Sequence, residues 1–352
     1  MPSPGGRAFT IIYGMKLSSF LLPLLLPACL SAAVKKPAAN VADRKAPATP
    51  EAPIILTTST PGFCILGAQS GKSYSGEAAF KAVLWKNDVI YVGETHDEEQ
   101  DHRAQLEALK ALRIARGSRI AVALEMLDYT AQPALDDYLT GKISEAEFQE
   151  KTGWQSGKGF DYSLYKPLLD FAAANGLRGL ALNIPKAIVS KIARGGLQSL
   201  TAEERQALPK EVNITSHKKY NEYLKESFTM HSGTAAPKDL AFENYRASMG
   251  AWNEAMGARI ADFIAANPGF AVLVITGNGH LMYNAAIPAS VKARTEKLRQ
   301  VSFYTEQAES CPEKMPEANK NVANYIWYIK HPAPPAAAPV QASTSAPAAA
   351  GR

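Results

Sequence analysis

Residues 89–106 read VIYVGETHDEEQDHRAQL. A run of strand-forming residues stops at Gly93-Glu94-Thr95-His96, and acidic residues with a second histidine, His102, follow in a stretch of helical character over 98–116. A short apolar strand that turns through glycine into a helix is the unit from which parallel α/β sheets are assembled, so this stretch sets the fold class. It leaves the role of the turn open: a catalytic site, a ligand pocket and a polar helix start capped by Thr95 or Asp97 all fit.

The same apolar signature recurs in RIAVALE (119–125), LRGLALN (177–183), FAVLVIT (270–276), RQVSFYT (299–305) and NYIWYIK (324–330), beside DVIYVG (88–93). Continuous apolar runs of this length suit strands covered on both faces. Helical segments lie between the first four, at 98–116, several within 131–175, at 185–194, and as a pair at about 216–229 and 238–266. The expected fold is α/β, with a mostly parallel central sheet flanked by helices. Between Asn183 and Phe270 no convincing strand appears, which predicts a helical insertion or lobe over about 184–269.

In an open parallel sheet the ligand crevice lies beyond the carboxyl ends of the strands. The residues arriving there are Glu94 and His96, Glu125, Asn183, and Asn278 and His280 through TGNGH. Two of these turns share the spacing G-x-x-H, Gly93–His96 and Gly277–His280. With 24 Gly and 6 His in 352 residues, chance supplies fewer than one such spacing, so two, each directly after a strand, point to a built rim. Glycine permits the sharp turn and close backbone approach. Two histidines and a carboxylate can hold a divalent metal, with His96, His280 and Glu94 as ligands. Glu94 or Glu125 with a histidine can instead serve as general base and acid without a metal. Histidines that merely satisfy loop carbonyls are the third reading.

Other features carry less. GAQSGKS (67–73) lacks the first glycine of a phosphate loop, because position 66 is Leu, and GNGHLM has Met282 where a dinucleotide fingerprint needs its third glycine. Neither a G-x-S-x-G elbow nor an H-E-x-x-H helix is present. His102, in an acidic helix start, is expected to be solvated, and Trp154, Tyr162 and Tyr165 read as packing. In 240–266, Ala241, Tyr245, Met249, Trp252, Met256, Ile260 and Ile264 share one helical face, the pattern of a core stripe. Tyr220, Tyr223, Tyr245 and Tyr283 are nevertheless candidate haem-iron ligands, since tyrosinate is an axial ligand.

The ends differ in composition from the body. MKLSSFLLPLLLPACLSAA, from Met15, has the basic start, apolar run and small-residue close of a secretory signal, and translation is expected to begin there rather than at Met1. Leu26-Pro27-Ala28-Cys29 resembles a lipobox, which would make Cys29 the lipid-bearing residue; cleavage after Ser31-Ala32-Ala33 is the other route. Residues 1–33 are thus a signal segment and 34–53 an Ala/Pro-rich tether. Residues 54–331 form a single folded body and 332–352 an Ala/Pro-rich tail. The net charge of +5 is partly carried by signal and tether, and no basic block with interleaved aromatics argues for nucleic acid. Cys64 and Cys311, one near each end of the body, are free to pair in an exported protein.

Taken together, VGETHDEEQDHRAQLEAL (92–109), ALEMLDYTAQPALDDYLTGKIS (123–144), GLALNIP (179–185) and ITGNGHLMYNAAIP (275–288) resemble the ChaN-like family of bacterial haem-binding lipoproteins. That family is similar to the wider Tiki, TraB and erythromycin-esterase superfamily, marked by paired G-x-x-H motifs and a Glu. The resemblance spans about 86–290. It implies that the superfamily's histidines are His96 and His280 and its acidic residues Glu94 and Glu125, and that His231 stands where ChaN-like proteins carry another histidine. It further implies a haem held through a tyrosine at the interface of a homodimer, with Tyr283 and Tyr245 as candidates and His96, His280 and His231 as further cofactor-binding candidates. Iron uptake or haem storage with outer-membrane haem or iron uptake machinery as partner would then be the role. The rival it implies is a Tiki-type hydrolase using Mn or a similar divalent metal, with Glu94 and Glu125 in catalysis. A scaffold whose rim binds a partner is a third outcome.

Overall fold

Every residue of the strand VIYVGE is buried, as a run without polar alternation requires, and the sheet is built around it. The structure is a computed structural model that describes residues 63–154, 160–231 and 241–330, without the side chains of Phe63, Glu77, Met230 and His231. The described residues belong to one unit within 55–352. The expected signal, the Cys29 lipobox, the tether and the tail lie outside them.

Seven strands form one sheet: β1 (Phe63–Gly67), β2 (Val89–Glu94), β3 (Ile120–Asp128), β4 (Arg178–Asn183), β5 (Ala271–Gly277), β6 (Gln300–Ala308) and β7 (Tyr325–Lys330). Their order is β1-β7-β6-β2-β5-β3-β4, parallel throughout except that β1 runs antiparallel to β7. The six anticipated strands are all present, each within a few residues of its expected bounds. β5 returns from far along the chain to lie between β2 and β3, with Glu94 level with Gly277. That insertion sets the two G-x-x-H turns side by side, with the end of β3 next to them.

Alternate strand residues feed two layers. Ile90, Val92, Val122 and Leu124 face a core shared with α1 (Glu77–Lys86), α2 (Glu99–Arg116), α3 (Gln132–Leu139) and α5 (Tyr162–Ala174), the short α4 (Glu145–Thr152) closing that side through Phe148. Val89, Tyr91, Ala121 and Ala123 face the other layer, covered by α9 (Phe242–Ala266) and α10 (Ile287–Arg294). The α9 stripe is core as its periodicity predicts, with Met256 and Ile260 fully buried, although Ala241 precedes the helix and is exposed. Between β4 and β5 come α6 (Lys186–Gly195), α7 (Ala202–Arg205), α8 (Lys218–His231) and α9, with no strand among the described residues. α6 and α9 share their own apolar cluster, built on Ile188, Ile192, Ala251 and Ala255.

Four elements escape the sequence reading: β1, α1, the short α7 and α10. β1 is an edge strand of five residues, and GAQSGKS after it folds back on itself. Gly67 N donates to Lys72 O, Gly71 N to Gly67 O and Ala68 N to Asn324 O, so these amides are engaged with protein carbonyls rather than offered to a phosphate. Cys64 of β1 is bonded to Cys311 across a separation of 247 residues. A cross-link closing so long a loop removes much unfolded-state entropy, with about 5 kcal/mol as the ceiling of the chain-entropy account. Reduction is therefore expected to shift urea unfolding clearly to lower denaturant; coincident oxidised and reduced curves would contradict it.

Candidate functional site

A carboxylate at the end of a wholly buried strand must find partners or neutralise. Glu94 is 2% exposed and finds them on three elements. Tyr165 of α5 donates its hydroxyl to Oε1, Gln105 of α2 donates to Oε2 at 2.7 Å, and His96 Nδ1 lies 2.7 Å from Oε1. His102 Nδ1 stands 3.6 Å from Oε2, and its other nitrogen lies 3.1 Å from the carbonyl of His96. The turn between is fixed by Asp101, whose Oδ2 accepts from Thr95 N at 2.7 Å and from Thr305 Oγ1 at 3.0 Å. Burial pushes the Asp101 carboxyl up to about 6, against those hydrogen bonds. Glu98, not Thr95 or Asp97, stands at the helix N-cap, and its side chain makes no capping bond.

Across β5, Glu125 is 1% exposed. Its Oε2 accepts from Thr276 Oγ1 at 2.6 Å and from Gly277 N at 2.8 Å, while His280 Nε2 lies 3.2 Å from Oε1. Asn253 of α9 continues the chain, its Oδ1 being 2.6 Å from His280 Nδ1 and its amide donating to Tyr220 Oη. Burial alone would raise the Glu125 carboxyl. The charge and hydrogen bond of His280, the charge of His96 and the Thr276 bond prevail and hold it down at about 2. Burial also opposes the charging of His96, but the bond to Glu94 and the charges of Glu125, Glu94 and Asp97 raise its pKa. Each histidine is backed by an aromatic ring, Phe160 at 4.3 Å from His96 and Trp252 at 4.7 Å from His280.

The motif glycines are there for close approach. A Cβ on Gly277 would lie 2.9 Å from His96 Cε1, and one on Gly93 would lie 2.0 Å from Asn278 Oδ1. Asn278 has its own task, since its amide donates to Thr305 O and its carbonyl accepts from Thr305 N, tying the second turn to β6. Gly93→Ala is therefore expected to cost roughly 1–3 kcal/mol by overpacking. Urea unfolding checks this; an unchanged midpoint would contradict the packing.

A family described as haem-binding uptake, Tiki superfamily, ChaN matches residues 81–291. The chain belongs to this family. Among solved structures, one described as cofacial haem binding to ChaN of Campylobacter jejuni superposes with a TM-score of 0.59 at 18% identity, covering 77% of this chain and 98% of that one. The type III effector HopBA1 gives a TM-score of 0.42 at 12% identity, over 72% of this chain and 93% of that one. The curated Protein RETICULATA-RELATED 5, chloroplastic, of Arabidopsis thaliana is 20% identical over 252 residues, 68% of this chain but only 34% of the plant protein. The likeness to the Campylobacter ChaN shows a shared fold.

In this ChaN-family chain, Glu94, His96, Glu125 and His280 come together as the rim expected of them, and Asn183 joins by donating to the carbonyl of Glu125 at 2.8 Å. The expected metal ligands His96 and Glu94 form an imidazole–carboxylate pair, as His280 does with Glu125, and among the described residues no group of three or more His, Cys, Asp or Glu side chains is placed to hold a metal ion. Tyr245 and Tyr283 lie in a cluster with Tyr220, Tyr223 and Met249, which meets the rim where Asn253 joins Tyr220 to His280. Tyr245 Oη shares a hydrogen bond with Ser227 Oγ, and Tyr283 stacks on His217 at 5.3 Å. His231 ends α8, and its side chain lies outside the described residues.

Two expectations are corrected. His102 is not solvated but 4% exposed, bound to Gln105 and to the turn of His96. Tyr165 packs, but it also donates to Glu94, because a phenol is the neutral donor a buried carboxylate needs. Gln105, Thr276 and Asn253 were not anticipated at all. The stripe Ala108, Leu109 and Leu112 extends backwards through Gln105, His102 and Asp101, so polar residues on the inward face of α2 were the available signal.

Proposed function

We propose that this chain binds haem and serves haem or iron acquisition, or haem storage, as a lipoprotein of the cell envelope, with outer-membrane uptake machinery as partner. Family membership supports haem as the ligand. The single observation that carries the reading to a place is Tyr283. Its backbone lies in the left-handed region at φ 57°, followed by Asn284 at φ 52°, a conformation that costs a non-glycine residue free energy and concentrates at functional sites. It lines a cavity of about 570 Å³ together with His217, Lys218 and Lys219. A phenol to hold ferric iron and two ammonium groups to meet propionates form a donor set that fits haem. Haem supplies ferric iron and a flat apolar macrocycle; this chain supplies the phenol, the cations and the stacked imidazole. Burial and the charges of Glu222 and Glu226 raise the Tyr283 hydroxyl, so iron must displace a firmly held proton and binding should strengthen as pH rises. Tyr245, His231, His96 and His280 are the other candidate ligands, and a homodimer would bring two such faces together. Titration with hemin, read as a Soret band that saturates, tests the reading; its absence rejects it.

A second reading, a hydrolase of the Tiki type, is favoured by one observation. His96 has Nδ1 engaged by Glu94 while its ring, 40% exposed, passes over Gly277 towards Glu125. An imidazole oriented by a buried carboxylate can act as general base, and Mn or another divalent metal would need the same His96, His280 and Glu94 freed from their pairings. Activity on a peptide or ester abolished in His96→Ala and unaffected in Tyr283→Phe would support it. Activity in purified protein that survives His96→Ala would reject it.

A further inference from the structure

A second cavity, of about 570 Å³, opens between the end of β3, the start of α6 and α9. It shares no lining residue with the cavity of Tyr283. Trp154, Phe160 and Trp252 supply aromatic walls with Val189 beside them, and two of these rings are the ones that back His96 and His280. Such walls favour a flat ring, which can stack or meet them edge-on.

The polar groups around it include one cation, Lys186, and one carboxylate, Asp128. Trp252 Nε1 is buried and has no hydrogen-bond partner among the described residues. Lys186 lines the cavity from an exposed position and makes no ion pair among the described residues. It opens α6, whose N-cap is Pro185 and therefore offers no capping side chain, so the first amides of that helix add to the positive end. Asp128 also lines the space and brings a carboxylate, its Oδ1 accepting from Thr130 N and Oγ1. Aromatic walls beside an exposed lysine at the start of a helix suit a flat ring that carries an acceptor-rich anion.

We propose that this cavity is a second ligand site, for a flat aromatic carboxylate, held with its ring among Trp154, Phe160 and Trp252 and its carboxylate at Lys186. The site shares no lining residue with the cavity of Tyr283, and it adjoins the rim through Phe160, Trp252 and Asn183.

The probes are naphthalene carboxylate and its neutral carboxamide, titrated into the full chain and followed by quenching of tryptophan emission. Saturable quenching by the carboxylate is expected, weakened about ten-fold in Lys186→Met, while the carboxamide is affected less than two-fold. Lys186 is exposed, so that variant keeps its fold, which circular dichroism checks. Trp252→Phe, which removes the indole donor, should weaken both probes, and Tyr283→Phe should leave both unchanged. Absence of saturable quenching overturns the proposal. So does equal weakening of acid and amide in Lys186→Met, or loss of naphthalene carboxylate binding in Tyr283→Phe, which would place the probe in the haem cavity instead.

Discussion

Glu125→Ala is expected to destabilise the protein by about 3–5 kcal/mol, the cost of breaking a buried charged pair by removing one partner. The carboxylate is 1% exposed and is met by Thr276 Oγ1, Gly277 N and His280 Nε2. Its removal strands those donors beneath the rim. Glu125→Gln keeps the volume and one acceptor, so its loss should be smaller. The same residue gives the fold a pH dependence of defined sign. Its folded pKa is about 2 against an ordinary 4.5, so the folded state binds the proton less readily than the unfolded chain. Its contribution is present above about pH 4.5 and is lost as pH falls towards 2. His96 works in the opposite direction: its pKa is raised from 6.5, so its contribution is complete below that value and fades as pH rises through the folded pKa. Urea midpoints measured from acid to neutral pH should therefore fall steeply on the acid side in the native chain and less so in Glu125→Gln. Equal slopes would contradict the account of the rim.

Tyr283→Phe should weaken hemin binding by at least about ten-fold and change the Soret spectrum, because it removes the only group of that ring able to hold ferric iron. The substitution keeps the aromatic face on His217 and the left-handed turn, so stability should be unaffected. Tyr245→Phe provides the comparison, its hydroxyl being shared with Ser227 Oγ at 3.0 Å. If Tyr245→Phe reduces hemin affinity and Tyr283→Phe does not, the iron ligand is Tyr245 and the Tyr283 assignment is wrong.

The rim was legible because it rests on one geometric rule. VGETH and TGNGH each follow an apolar strand, and parallel strands deliver their carboxyl ends to one edge, so Glu94, His96, Glu125 and His280 could be gathered without contacts. What was not legible depends on packing between distant segments. Tyr165 reaches Glu94 across 71 residues from a helix whose composition reads as core, and no local pattern announces its hydroxyl. Asn253 lies beside the apolar stripe of α9, where only the position of His280 gives it meaning. β1 was hidden for a different reason: a five-residue edge strand paired antiparallel to β7 owes its existence to a partner more than 250 residues away. Its loop also imitates a nucleotide motif, but its amides at Gly67, Ala68 and Gly71 are engaged with protein carbonyls. The tyrosine cluster was named residue by residue, but that Tyr283 stands in a strained conformation over a cationic cavity is a property of the turn after the second G-x-x-H, invisible in the letters MYN.

The most direct test is a hemin titration of the purified full chain, followed by absorbance, with Tyr283→Phe titrated in parallel. The account predicts a Soret band that grows to a defined stoichiometry in the native chain and is weakened and shifted in the variant. A native chain that produces only the spectrum of free hemin would contradict haem binding itself.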